Sequence, residues 1–348
     1  MGKLRVAIAG SGGIARGAHM RGWQAVADTC DVVACCDVDE KRVKAFATDF
    51  KIPGVYTDFR RMLAGEKLDI VDICTPNKFH SPISVAASRA GAHVICEKPL
   101  ATSTKEVEGM IRAAEKSKRL LMCAQSTRFN GQAQTMKNIV DAGTLGNIYY
   151  CRAQAIRRRF VPTAPGFIKK ALSGGGPIYD IGVHILDLSY WLMGAPKPVT
   201  VSAMMGTFLA KRHDIIGMWG EWDRKMYDVE DFAVGMIRFD NGAALTLECS
   251  FLLNMKEHER FATSLFGTEA GANYPELEVH GETNRVLYDQ KVSYVPQMSG
   301  HVEEIKSFVD SVINNKPVAV PPEQTLQVIR MLEAMYTSAE KKAEVKLR

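Results

Sequence analysis

Over the first 125 residues, short apolar runs alternate with stretches whose apolar positions recur every three or four residues. Residues 4–9, 31–36, 70–74, 93–96 and 120–124 read as buried strands. Residues 15–28, 40–50, 81–90 and 103–117 read as the helices between them, and Thr57-Asp58 marks another helix start that runs to Leu63. Alternation of this kind predicts a parallel, doubly wound sheet covered on both faces. After Ser126 the pattern changes. Residues 148–156, 199–205, 232–239 and 243–252 alternate apolar and polar positions, and Asn241-Gly242 between two of these runs predicts a hairpin. Two amphipathic helices, 301–314 and 322–342, close the chain. The expected class is α/β, with one domain over 1–125 and a second domain over 126–348 built on a mainly antiparallel sheet.

The first strand runs into Gly10-Ser11-Gly12-Gly13-Ile14-Ala15, and an acid, Asp37, ends the next apolar run. Strand before, helix after and acid beyond make this the dinucleotide fingerprint of a Rossmann domain. Gly10 permits the tight turn, Gly12 lets backbone approach a pyrophosphate, and Ala15 allows close helix packing. A carboxylate at Asp37 accepts hydrogen bonds from a ribose diol and repels a 2′-phosphate, so NAD is favoured over NADP.

Three polar clusters follow. Thr75-Pro76-Asn77-Lys78-Phe79-His80 and Glu97-Lys98-Pro99 each leave the carboxyl end of a strand, where doubly wound folds bind ligands. Lys98-Pro99 is a candidate cis peptide. Gly174-Gly175-Gly176-Pro177 then opens a helix on which Asp180, His184 and Asp187 are spaced to share one face, opposite Ile178, Ile181, Ile185 and Leu188. A metal at these three side chains is set aside, because a nearby lysine repels a cation and no further histidine cluster is evident. Arg128, after the last strand of the first domain, is placed to overhang a nicotinamide. Arg157 and Arg158, with Arg159, end a long strand and are candidates for binding substrate hydroxyls or a carboxylate. Trp219, Trp222 and Tyr227 fall in a loop-like segment, where aromatic rings suit either a sugar or a subunit contact.

Composition narrows the class. A net charge of +5, scattered along 348 residues, gives no basis for nucleic-acid binding. No apolar run is long enough to span a bilayer, and the N-terminus lacks a signal-peptide pattern. Eight cysteines without a C-x-x-C pair read as reduced thiols of a cytoplasmic protein.

The glycine turn, Thr75-Pro76-Asn77 with His80, Glu97-Lys98-Pro99 and the glycine-led helix with Asp180 and His184 occur together, in this order, in the Gfo/Idh/MocA family, which this chain resembles over nearly its whole length. The resemblance implies a Rossmann domain, a C-terminal α/β domain whose open sheet makes a homodimer or homotetramer, and Lys98, Asp180 and His184 as the catalytic trio. It implies cofactor contacts from Gly10 to Ala15, Asp37, Thr75, Asn77, His80, Glu97 and Lys98, and a carbohydrate substrate. The expected reaction is NAD-dependent oxidation of a ring secondary alcohol in a sugar, polyol, inositol or glycoside. The alternatives are glycoside cleavage with recycled NAD and a non-catalytic nucleotide-binding regulator.

Overall fold

The computed structural model describes residues 2–347. The chain forms two compact units, Met1–Phe129 with Met298–Leu326, and Asn130–Gln297 with Gln327–Arg348. Residues 298–326 therefore pack with the first unit, where the sequence pattern placed them in the second domain. The reason is a close helix contact. The helix Gly300–Asn314 lies on Met20–Ala25, and a Cβ at Gly22 would come within 2.5 Å of Ile305 Cδ1.

In the first unit β1 (Leu4–Ala9), β2 (Cys30–Cys36), β3 (Gly54–Tyr56), β4 (Ile70–Ile73), β5 (His93–Glu97) and β6 (Leu121–Ala124) form a parallel sheet in the order β3-β2-β1-β4-β5-β6. That order reverses between β1 and β4, so the loops after those strands diverge and leave a crevice at their carboxyl ends. The sequence pattern found five of these strands. It missed β3, which is three residues long and too short to show a period. The helix expected over 15–28 begins instead with a π turn, Ala15–His19, before the α-helix Met20–Ala25, and the π turn leaves His19 fully buried.

In the second unit β7 (Ile148–Arg157), β8 (Pro198–Gly206), β9 (Phe232–Phe239), β10 (Ala244–Ser250), β11 (Glu259–Gly267), β12 (Ala270–Tyr274), β13 (Glu278–Thr283), β14 (Val286–Lys291) and β15 (Val345–Lys346) make one sheet, ordered β14-β13-β12-β11-β7-β10-β9-β8-β15. Only β7 and β10 pair in parallel. The Asn241-Gly242 hairpin joins β9 to β10 as expected, with Gly242 at φ +86°. The strands β11 to β14 escaped the pattern; β14 is largely exposed and β13 has a single buried position, Val279, so neither carries an apolar face to read. The helix Val183–Leu192 packs on β7 and β11 and is buried nearly all round. All eight cysteines are buried and none is in a disulfide. No helix among the described residues is long and apolar enough to cross a membrane.

Candidate active site

The glycine turn has the geometry its sequence demands. Gly10 sits at φ +96°, and a Cβ there would meet the Cys74 carbonyl carbon and oxygen at 2.6 Å, so the turn and the end of β4 touch through bare backbone. Around Gly12 and Gly13 a Cβ would meet nothing within 4 Å, which leaves open space beside exposed backbone. Ser11 and Ala15 are buried, and Ile14 is exposed. Asp37 ties the turn to β2: its Oδ2 accepts from Ser11 N at 2.9 Å and Ser11 Oγ at 3.0 Å, and its Oδ1 accepts from Asp39 N at 3.0 Å. Arg42 Nη1 lies 3.6 Å from the same carboxylate. These residues fit a dinucleotide, with room for a pyrophosphate at Gly12 and an acid within reach of the turn.

The turn after β5 carries Lys98, half-buried, and its Lys98–Pro99 bond is cis. Two buried histidines flank it. On one side Glu97 Oε2 accepts from Lys98 N at 3.0 Å, while Oε1 lies 2.8 Å from His19 Nε2. The other nitrogen of His19 is 2.9 Å and 3.0 Å from the two oxygens of Asp72, which also accepts from Trp23 Nε1. On the other side His80 Nδ1 is 2.8 Å from Pro99 O, and its Nε2 is 2.7 Å from Thr75 O. The family resemblance implies a cofactor contact for His80; the structure places its ring between two backbone carbonyls, fully buried.

The two rings show which electrostatic term wins. Burial disfavours the charged form of both. In His19, Asp72 and neighbouring Cys74 overcome burial and raise the pKa well above its ordinary value. In His80, burial prevails over the pull of two neutral carbonyls and the pKa is lowered. Burial also pushes Glu97 up, but hydrogen bonding and charge from His19, with Lys98 and His301, hold its carboxyl at about 2. Beyond His19 lie His301, its ring centroid 5.8 Å away, and Glu304, whose Oε1 is 2.9 Å from His301 Nδ1. Burial raises Glu304 to about 7. Sequence reading missed this cluster, because His19, Asp72, Glu97 and His301 are far apart in the chain.

In the second unit the glycine run starts the helix for three separate reasons. Gly174 ends a short helix at φ +86°, a Cβ at Gly175 would strike Tyr336 Oη at 1.9 Å, and one at Gly176 would strike Glu230 O at 2.2 Å. The buried Glu230 carboxylate accepts from Gly176 N at 3.0 Å and Ile178 N at 3.3 Å, and takes a 2.6 Å bond from Tyr336 Oη. It caps the π turn Ile178–Gly182 that bears Asp180. The π turn breaks the 3.6-residue spacing on which a shared polar face depends. Asp180 and His184 are half-buried, but Asp187 is only 1% exposed, so the expected three-residue stripe is reduced to two.

Arg157 Nη1 lies 3.8 Å from Asp180 Oδ2, while its Nε donates to Glu259 at 2.7 Å and its guanidinium stacks 4.7 Å over the Trp219 ring. Trp219 is exposed, whereas Trp222 is buried and donates to Ala210 O, and Tyr227 is buried. Arg158 is exposed at the strand end, with Nη1 3.3 Å from Lys256 O. Arg128, expected to overhang a nicotinamide, is buried at 1% exposure and donates from Nη1 to Gln324 Oε1.

Residues 4–125 match an oxidoreductase family's NAD-binding Rossmann fold, and residues 137–347 match the same family's C-terminal alpha/beta domain. A D-glucoside 3-dehydrogenase of Escherichia coli (strain K12) is 34% identical over 99% of this chain and 97% of its own. A scyllo-inositol 2-dehydrogenase (NADP(+)) of Bacillus subtilis (strain 168) is 24% identical over 92% of this chain and 90% of its own. The solved structure of levoglucosan dehydrogenase in complex with NADH superposes with a TM-score of 0.86 at 23% identity, covering 99% of each chain. With both domains matched and the glycine turn, Lys98 turn and glycine-led helix in place, the chain belongs to the Gfo/Idh/MocA family of NAD(P)-dependent oxidoreductases acting on CH–OH groups.

Proposed function

We propose that this chain is an NAD-dependent dehydrogenase that oxidises a ring secondary alcohol of a sugar, polyol, inositol or glycoside, with a glycoside as the first candidate. The observation that carries the reading is the second unit's helix start. Asp180 and His184 stand half-buried on backbone held by Glu230, with Arg157 beside Asp180. The name of the 34% identical relative supports a glycoside.

The nicotinamide, when bound, supplies the hydride acceptor. His184 takes the proton of the substrate hydroxyl as general base. Lys98 stabilises the oxygen on which negative charge builds. Asp180 accepts a hydrogen bond from a neighbouring hydroxyl, and Arg157 fixes the direction of its carboxylate. Gly10 to Ala15 hold the pyrophosphate, and Thr75 and Asn77 line the cofactor crevice. Asp37 receives the ribose diol and disfavours a 2′-phosphate, which supports NAD over NADP. A homodimer or homotetramer through the nine-stranded sheet belongs to the same reading, supported by the exposed Tyr149 on β7 and Met204 on β8.

The test is NADH absorbance with NAD and a panel of glycosides, aldoses, inositols and sugar acids. Steady growth with a ring alcohol, and a loss of about 10²–10⁴ in kcat for His184→Ala, are expected. Free aglycone without NADH growth would replace the dehydrogenase with glycoside cleavage. Asp37→Ala should weaken NAD binding by about 1.5–3 kcal/mol, and unchanged affinity would remove the ribose assignment.

A further inference from the structure

We propose that two buried histidines, His19 and His80, clamp the turn that carries Lys98 and act as positioning residues for the reaction. The inference rests on the reading of Lys98 as the group that meets the substrate oxygen. Both rings are 0% exposed, and both join the same two segments. His19 bridges Asp72, in β4, and Glu97, whose second oxygen holds Lys98 N. His80 bridges Thr75 O, just beyond β4, and Pro99 O, just beyond Lys98. A histidine buried only to fill the core needs partners of any origin. Here all four ring nitrogens contact residues 72–75 or 97–99, so the lysine turn is tied to the neighbouring strand end on both sides of Lys98.

The surroundings say what each tie consists of. Facing His19 are Asp72, Cys74, Glu97, His301 and Trp23, with Glu304 behind His301. Ionised carboxylates accept hydrogen bonds and do not donate them, so the contacts on both its nitrogens make His19 a doubly protonated strap. His80 faces two carbonyl oxygens; with its pKa lowered the neutral ring has a single N–H, so one of its two contacts is a hydrogen bond and the other is close packing of the buried ring. A turn held this way presents the lysine without reorganisation, and a displacement near 1 Å at a reacting group costs on the order of 10²-fold in rate.

The test is a double-mutant cycle on the full chain, with NAD and a methyl glucoside as the probe substrate. His19→Gln and His80→Gln should each lower kcat by roughly 10- to 100-fold, with NADH affinity by fluorescence unchanged within about twofold. In a Lys98→Met background the same two substitutions should cost almost nothing further, because their effect passes through the missing lysine. A purely structural role would lower kcat equally in both backgrounds and would overturn the clamp while leaving the role of Lys98 intact. Full activity in Lys98→Met alone would overturn that role, and the clamp with it. Should His19→Gln fail to fold, ¹⁵N spectra of histidine in the unaltered protein decide: two protonated ring nitrogens at neutral pH support the strap. The ligand atoms of His19, Glu97 and His301 lie within 4.8 Å of one another, so one equivalent of tightly held metal in the purified protein would overturn it in favour of a metal site.

Discussion

Glu97 in the first unit and Glu230 in the second do the same structural job under opposite electrostatics. Each is a buried glutamate whose carboxylate accepts from backbone next to a proposed catalytic side chain: Lys98 N for Glu97, and Gly176 N and Ile178 N for Glu230. Burial pushes both carboxyls up. Around Glu97, the contact with His19 reverses the outcome and holds it at about 2. Around Glu230, Tyr336 and the backbone amides offset burial only in part, and the carboxyl stays above its ordinary range. A buried cation in direct contact outweighs desolvation, and a set of dipoles does not. Glu304 marks the boundary within the first unit. Its hydrogen bond goes to His301 rather than to His19, and burial prevails.

The contrast can be broken by substitution. Glu97→Gln should be the most damaging, at about 3–5 kcal/mol near pH 7, because it leaves the His19 ring short of a counter-charge. Urea unfolding at several pH values reads both size and sign. The folded pKa of Glu97 lies below its ordinary 4.5, so its contribution is present above 4.5 and lost as pH falls through about 2. The deficit of the variant should therefore hold from pH 5 to 8 and shrink in acid. A deficit that grew in acid would contradict an ionised Glu97.

Glu304→Gln should behave in the reverse sense. Its folded pKa is raised from 4.5 to about 7, so its contribution is complete below 4.5 and lost as pH rises through about 7. Relative to the unaltered protein, this variant should gain stability between pH 5 and 8, by about 3 kcal/mol at most. A flat difference would mean that Glu304 titrates normally. The smallest effect is expected for Glu230→Gln, about 1 kcal/mol, because a neutral amide still accepts from the helix start. It too should look relatively better as pH rises. A loss as large as that of Glu97→Gln would show that Glu230 needs its charge, and the distinction between the two glutamates would fall.

Local chain chemistry determined the parts of this protein that depend only on neighbours in sequence. The strand before Gly10, the positive φ that turn requires, the cis Lys98–Pro99 bond and the Asn241-Gly242 hairpin were all legible, because each follows from the steric needs of one or two residues. The same holds for β1, β2, β4, β5 and β6, whose apolar runs leave little choice but a buried parallel sheet. Period arguments failed where the backbone left the 3.6-residue repeat. The π turns at Ala15–His19 and Ile178–Gly182 carry His19 and Asp180, and no local signal announces them. Tertiary structure also decided which polar residues are spent inside. Arg128 and Asp187 looked available and are buried, while Asp72, His301 and Glu230 gave no local hint of their roles. The physical reason is desolvation. Whether a charge is an exposed tool or a buried brace depends on partners far along the chain, and only the folded protein brings them within hydrogen-bonding distance.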